Sequence, residues 1–232
     1  MMAEQQRPPH FLDTVRVRLS SQGYDSTAIS LPSVGKATHD MSEDVQVIHL
    51  AAQALCDQGK DVILVMWSYS EQPGSEAMRS LSHLKRGDKA GAVVRLVFIM
   101  AYIVPEHFQP AAFDDYLAFV NWMQPGLDKE AGLSTISAEI AKRVVYNDMT
   151  DADGDKWAKD LRPWSIGCTF SRSTYAGWRV IPSTYVFSKE DKEGLGFMVD
   201  TEEVVDAGHA VMISRPEWTA GMLSRSAKGV RA

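Results

Sequence analysis

Residues 61–66 read Asp-Val-Ile-Leu-Val-Met, an unbroken apolar run launched from Gly59-Lys60. A strand with one solvated face alternates apolar and polar side chains, so a run without alternation must be covered on both faces. That is the pattern of an interior strand in a parallel sheet flanked by helices. The surrounding sequence agrees. Helical spacing predicts a helix at 11–22 through Phe11, Leu12, Val15 and Leu19, stopped by Gly23, and another at 42–57 through Val45, Ile48, Ala52 and Leu55. A short β-prone run at 26–31 separates them. A turn at 67–70, a helix at 73–84 with Pro73 in its first turn, and strands at 93–101, 179–187 and 202–205 follow. Strands alternating with helices require crossover connections, which predicts an α/β fold around a mostly parallel sheet.

The chain has 232 residues, enough for one domain with a single core, and we read 1–232 as that domain. Its formal net charge of −6 provides no basic field to collect nucleic acid. The longest apolar stretch, 92–104, is broken by Arg95 and falls short of the roughly twenty residues that span a bilayer. Residues 1–10 carry Glu4, Arg7 and two prolines rather than the apolar segment of a secretory signal. Cys56 and Cys168 lack the paired spacing of a zinc site and are too few for a disulfide framework; they are expected to be small buried side chains in a reducing, cytoplasmic setting.

An insertion at about 110–160, between two strands, is expected to be mostly helical and to act as a lid over a site at the carboxyl ends of the strands. Phe113, Tyr116, Phe119 and Trp122 would give it an apolar underside. Asp151, Asp153 and Asp155 alternate as in a calcium loop, but the glutamate such a loop needs at its twelfth position is replaced by Arg162, so no metal is expected there.

Ser68 stands on the turn between the central strand and the next helix. A serine in that place has an exposed Oγ and helix-start N–H groups that can hold negative charge. Its turn needs small residues two positions to either side; Ser70 meets this and Met66 does not. Acyl transfer also needs an imidazole to take the Oγ proton and a carboxylate to orient that imidazole. The strand at 179–187 runs into Ser188-Lys189-Glu190-Asp191, and the strand at 202–205 runs into Asp206-Ala207-Gly208-His209. Ser68, Asp191 (in preference to Glu190) and His209 therefore form a candidate triad in the chain order serine, acid, histidine.

Leu31-Pro32-Ser33-Val34-Gly35, the strand-turn-helix block ending Pro73-Gly74-Ser75-Glu76-Ala77, Ile181-Pro182-Ser183-Thr184-Tyr185, and Asp206-Ala207-Gly208-His209 with Ser214-Arg215-Pro216-Glu217 together resemble the α/β-hydrolase superfamily. Within it they are similar to the compact branch of fungal esterase-like proteins, plant methylesterases and hydroxynitrile lyases. The resemblance implies an α/β-hydrolase fold with a helical lid, Ser68 as nucleophile, Asp191 as acid and His209 as base.

Three departures shape the expectations. Relatives begin with an apolar strand and a loop that supplies a second oxyanion donor, whereas this chain, after Met1-Met2-Ala3, offers only polar residues and proline before its first helix; the strand is expected to be missing from the middle of a sheet truncated at its N-terminus. Trp67 stands where relatives commonly have His. Ser70-Glu71 stand where they commonly have Gly-Gly, and a carboxylate at Glu71 would oppose a developing oxyanion unless it points away.

The reading that follows is a serine hydrolase, esterase or thioesterase-like, for a small apolar ester. The Tyr69 N–H would act as oxyanion donor, and Trp67, Phe113, Tyr116 and Trp122 would line the substrate side. No cofactor, no nucleic acid and no membrane span are expected, and a homo-oligomer is compatible with the sequence. Two rival readings keep the same pocket: a lyase or cyclase with His209 as general base, and a catalytically impaired homologue with a binding role.

Overall fold

The structure, a computed structural model, describes residues 2–3, 9–87, 91–115, 119–189 and 199–229. Its centre is a six-stranded sheet in the order β2-β1-β3-β4-β8-β9, parallel at every pairing. The strands are β1 (Met2–Ala3), β2 (Ala28–Ile29), β3 (Val62–Trp67), β4 (Val93–Ile99), β8 (Ser183–Ser188) and β9 (Thr201–Val205). β3 is formed by the unbroken apolar run that follows Asp61. Its Val65 and Trp67 face one core, with Phe11, Val15, Leu19, Met222 and Leu223, while Val62, Leu64 and Met66 face the other, with Ile48, Ala52, Cys56 and Met78. This two-residue alternation between two apolar faces is why the run shows no polar positions. β4 is buried at every position, and its Arg95 reaches Thr184 Oγ1 at 3.2 Å.

The helices that cover these faces are α1 (Asp13–Ser21) and α8 (Pro216–Lys228) on one side, and α2 (Ser42–Asp57) and α3 (Glu71–Ala77) on the other. α1 stops where Gly23 takes φ +83°, as the sequence anticipates. Among the described residues no helix is long and apolar enough to cross a membrane.

The expected gap in the middle of the sheet is corrected by β1. Met2 and Ala3 pair in parallel with Ala28 and Ile29 on one side and with Val65 and Met66 on the other. Two residues suffice to satisfy backbone groups that an empty slot would leave unpaired. Because the chain runs from β1 outward to β2 and then back across to β3, the β1/β3 boundary is where the strand order reverses. Crevices outside the carboxyl ends of strands form at that point, and Ser68 follows β3 there.

Smaller differences from the sequence reading have local causes. The run at 26–31 contributes only Ala28–Ile29, and the strand expected from 179 begins at Ser183, because Pro182 lacks the N–H a ladder needs and residues Gly177–Arg179 turn as a 3-10 helix. The helix expected at 73–84 starts earlier and breaks in two, α3 and α4 (His83–Arg86).

The insertion is less helical than its spacing predicts. Its helices are α5 (Ala138–Val144) and α6 (Asp151–Ala158); before them the described residues hold a 3-10 turn at Gln124–Gly126. A three-stranded antiparallel sheet joins β5 (Leu127–Asp128), β6 (Leu133–Ser134) and β7 (Trp164–Ser165). Gly126 is obligatory in this hairpin, since a Cβ there would stand 1.6 Å from Thr135 O. The Asp151, Asp153 and Asp155 alternation lies on α6, where Thr150 caps Asp153 N at 3.2 Å and Lys142 Nζ reaches Asp151 at 3.5 Å and Asp155 at 2.9 Å.

Candidate active site

Ser68 has φ 54°, a left-handed conformation that costs a non-glycine residue on the order of 1–3 kcal/mol and persists only where the surroundings impose it. They do so on both sides. Ser70 Oγ accepts from Trp67 N and donates to Trp67 O, each at 2.8 Å, bracing the turn from within. Met66, too large for the ordinary tight turn, is accommodated by Gly74 of α3, where a Cβ would meet Met66 Sδ at 2.5 Å. The bulk of Met66 is thus relieved by the absence of a side chain on the facing helix, at Gly74.

The histidine loop arrives from β9. Ser188 Oγ, at the end of β8, donates to Ala207 O, Ala210 N donates to Val145 O at 3.2 Å, and His209 N donates to Asn147 Oδ1 at 3.2 Å. The Trp67 indole Nε1 donates to His209 O at 2.9 Å, and the Trp67 and His209 rings lie 5.3 Å apart. The residue before the serine is therefore bonded to the histidine. Asp191 lies outside the described residues, as does Tyr116; of the acid-bearing segment the structure describes Ser188 and Lys189, whose N–H donates to Val205 O.

Phe119, Met123, Trp164, Ile166 and Cys168 form a third apolar cluster against which Tyr69, Trp122 and Phe170 pack. Tyr69 meets Trp164 edge-on at 4.9 Å. Phe119 and Trp122 thus belong to the wall beside the nucleophile turn, whereas Phe113 is 71% exposed and touches the ring of Phe170 at 5.5 Å.

Sequence reasoning missed the polar centre beneath this wall. Asp44, 1% exposed, accepts from Ser33 N at 2.9 Å and from Tyr69 OH at 2.8 Å, with Cys168 Sγ 4.0 Å away. Burial pushes the Asp44 carboxyl above its usual range against the pull of these hydrogen bonds, and pushes Tyr69 well up. Burial, helped by the Asp44 charge, drives the Cys168 thiol to about 11, so Cys168 remains a protonated packing group. The only sequence signal for Asp44 is an acid in the first turn of a helix, which ordinarily points to solvent.

Glu71, 1% exposed, resolves the electrostatic objection. Its side chain is turned into the protein, and burial holds its carboxyl well above the ordinary value near 4.5, although the Val104 amide hydrogen-bonds it. Burial therefore favours its neutral form, which weakens the charge it sets against an oxyanion. An acid whose folded pKa is raised contributes stability fully below its unfolded pKa, and that contribution is lost as pH climbs from about 4.5 through the folded value. Glu71→Gln is accordingly expected to flatten this loss. In calorimetry its Tm should gain on the wild type by several degrees between pH 5 and pH 9; a difference constant across that range would show that Glu71 is ionised in the fold.

A parallel sheet with its strand order reversed at β1/β3, a serine on a left-handed turn after the central strand and a histidine on the loop after the last strand define an α/β hydrolase. The chain belongs to the alpha/beta hydrolase family, whose sequence profile matches residues 7–222. It is 30% identical to the alpha/beta hydrolase nvfD of Aspergillus novofumigatus over 95% of this chain and 92% of that protein. It is 25% identical to a probable hydrolase, R7, of a Phoma species over 90% of this chain and 89% of that protein. In fold it is similar to polyneuridine aldehyde esterase, with TM-score 0.73 and 15% identity over 97% of this chain and 96% of that one. It is likewise similar to the Arabidopsis methylesterase MES16, with TM-score 0.71 and 17% identity over 97% of this chain and 96% of that one.

Proposed function

We propose that the chain is a serine hydrolase for a small apolar carboxylic ester or thioester. Ser68 Oγ attacks the acyl carbon while His209 takes its proton; Asp191 orients the imidazole, and the Tyr69 N–H, in the first turn after the nucleophile, receives the charge that develops on the carbonyl oxygen. His209 then returns the proton to the leaving alcohol or thiol and activates the water that clears the acyl group. The observation that carries this reading is the strained Ser68 turn held against the histidine loop through Trp67, since strain of this kind survives where function uses it.

The aromatic cluster of Phe119, Trp122, Trp164 and Phe170 beside Tyr69 supports an apolar acyl or alcohol group, with the insertion as its lid. The esterase names borne by several structural neighbours point the same way. Burial of Glu71, which favours its protonated form, is compatible with a developing oxyanion nearby. Cys56 and Cys168, both free and buried thiols, suit a reducing, cytoplasmic setting.

Intact-mass analysis after treatment with a fluorophosphonate tests the proposal. A single adduct on the wild type that is absent from Ser68→Ala is expected. A folded wild type that takes up no adduct would overturn the acyl-enzyme reading and leave His209-dependent base chemistry or a binding role.

A further inference from the structure

Both backbone groups of His209 are held by side chains from elsewhere in the chain. Its carbonyl accepts from the Trp67 indole at 2.9 Å, and its N–H donates to Asn147 Oδ1 at 3.2 Å. Trp67 is the residue before the serine; Asn147 lies where the insertion leaves α5. The fit is close: a Cβ on Gly208 would stand 2.3 Å from Asn147 Oδ1 and 2.8 Å from Asp148 Oδ1, so a larger residue there would push these side chains out of place. Val145 O fixes Ala210 from the same side. A histidine on a loop is otherwise a mobile base, and an error of about 1 Å in its position costs on the order of 10²-fold in rate.

We infer that Trp67 and Asn147 are positioning residues that clamp the main chain of His209 between the nucleophile turn and the end of the insertion. Trp67 then serves the base through its indole N–H, in addition to packing against Phe11. The insertion is tied to the catalytic histidine through Asn147, so displacement of α5 would reach the base directly. The inference rests on His209 being the base of the proposed hydrolase.

The test uses Trp67→Phe, which keeps a ring in the core but removes the donor; Asn147→Ala, a truncation at an exposed position; and Asn147→Asp, which keeps an oxygen acceptor. Trp67→Phe and Asn147→Ala should each lower kcat, and the rate at which a fluorophosphonate labels Ser68, by 10- to 100-fold, with KM changed less than about threefold. Asn147→Asp should recover most of the loss. Wild-type kcat and labelling rate in Asn147→Ala would overturn the clamp. So would a loss that Asn147→Asp does not relieve, or one shared equally between kcat and KM.

A nitrogen-15 spectrum of the imidazoles separates this outcome from failure of the hydrolase reading. If the wild type proves inert toward esters, the His209 ring signals should still shift or broaden in Trp67→Phe and Asn147→Ala while those of His49, whose ring bonds Ala77 O, stay in place. Unchanged His209 signals would sink the inference whatever the protein catalyses.

Discussion

Ester turnover is expected to fall by on the order of 10⁴- to 10⁶-fold in Ser68→Ala, by a similar factor in His209→Ala, and no further in the double variant. The equality follows from what the two side chains share. The serine hydroxyl is a poor nucleophile while it keeps its proton, and the imidazole has nothing to relay if the hydroxyl is absent; removing either removes the same step. Asp191→Asn should cost less, because the carboxylate orients and stabilises the imidazole without reacting itself. Steady-state kinetics on short-chain aryl esters, with each variant's fold checked by circular dichroism, measures the four variants and the wild type under one condition. Retained turnover in Ser68→Ala beside abolished turnover in His209→Ala would move the chemistry to general-base cleavage or cyclisation. Additive losses would show that the two residues do not act as a unit.

How far this site was legible depends on where its information resides. The central strand, the helix at 42–57 and the positions of Ser68 and His209 after their strands are local properties, set by runs and spacings a few residues long, and the structure places each within a residue or two of the sequence reading. The partners of those residues are not local. Trp67 bonds a carbonyl 142 positions away, and the bulk of Met66 is relieved by the missing side chain of Gly74. Neither relation leaves a periodic trace. The first half of the insertion misled for a related reason: apolar residues at helical intervals, Phe119 and Met123 among them, plug a cluster with Trp164 and Ile166 instead of lining one helix face. A strand of two residues, Met2–Ala3, is shorter than any pattern could reveal.

Asp44 offers the second large effect, on stability. Replacing it by alanine strands the Ser33 N–H, in a residue with 0% exposure, and takes from the Tyr69 hydroxyl its acceptor at 2.8 Å. An abandoned buried donor costs about 1–3 kcal/mol, so the pair together is worth several kcal/mol, a fall in Tm on the order of 10 °C for a chain of this size. Asp44→Asn should behave differently. Its amide oxygen can still accept from Ser33, and its NH₂ can donate to a Tyr69 hydroxyl that turns to accept, so only a few degrees should be lost. The asparagine also removes a titration. Burial raises the Asp44 carboxyl above its ordinary 3.8, so the wild type forfeits part of its stability as pH rises through the folded value, and Asp44→Asn should not. Tyr69 links this centre to the chemistry, because its ring is anchored by Asp44 while its N–H is the proposed oxyanion donor. Melting curves of both variants from pH 3 to pH 8 decide the matter: equal losses in alanine and asparagine would mean that side-chain volume rather than hydrogen bonding holds Tyr69, and unchanged melting in Asp44→Ala would mean that this buried carboxylate is not part of what anchors the nucleophile turn.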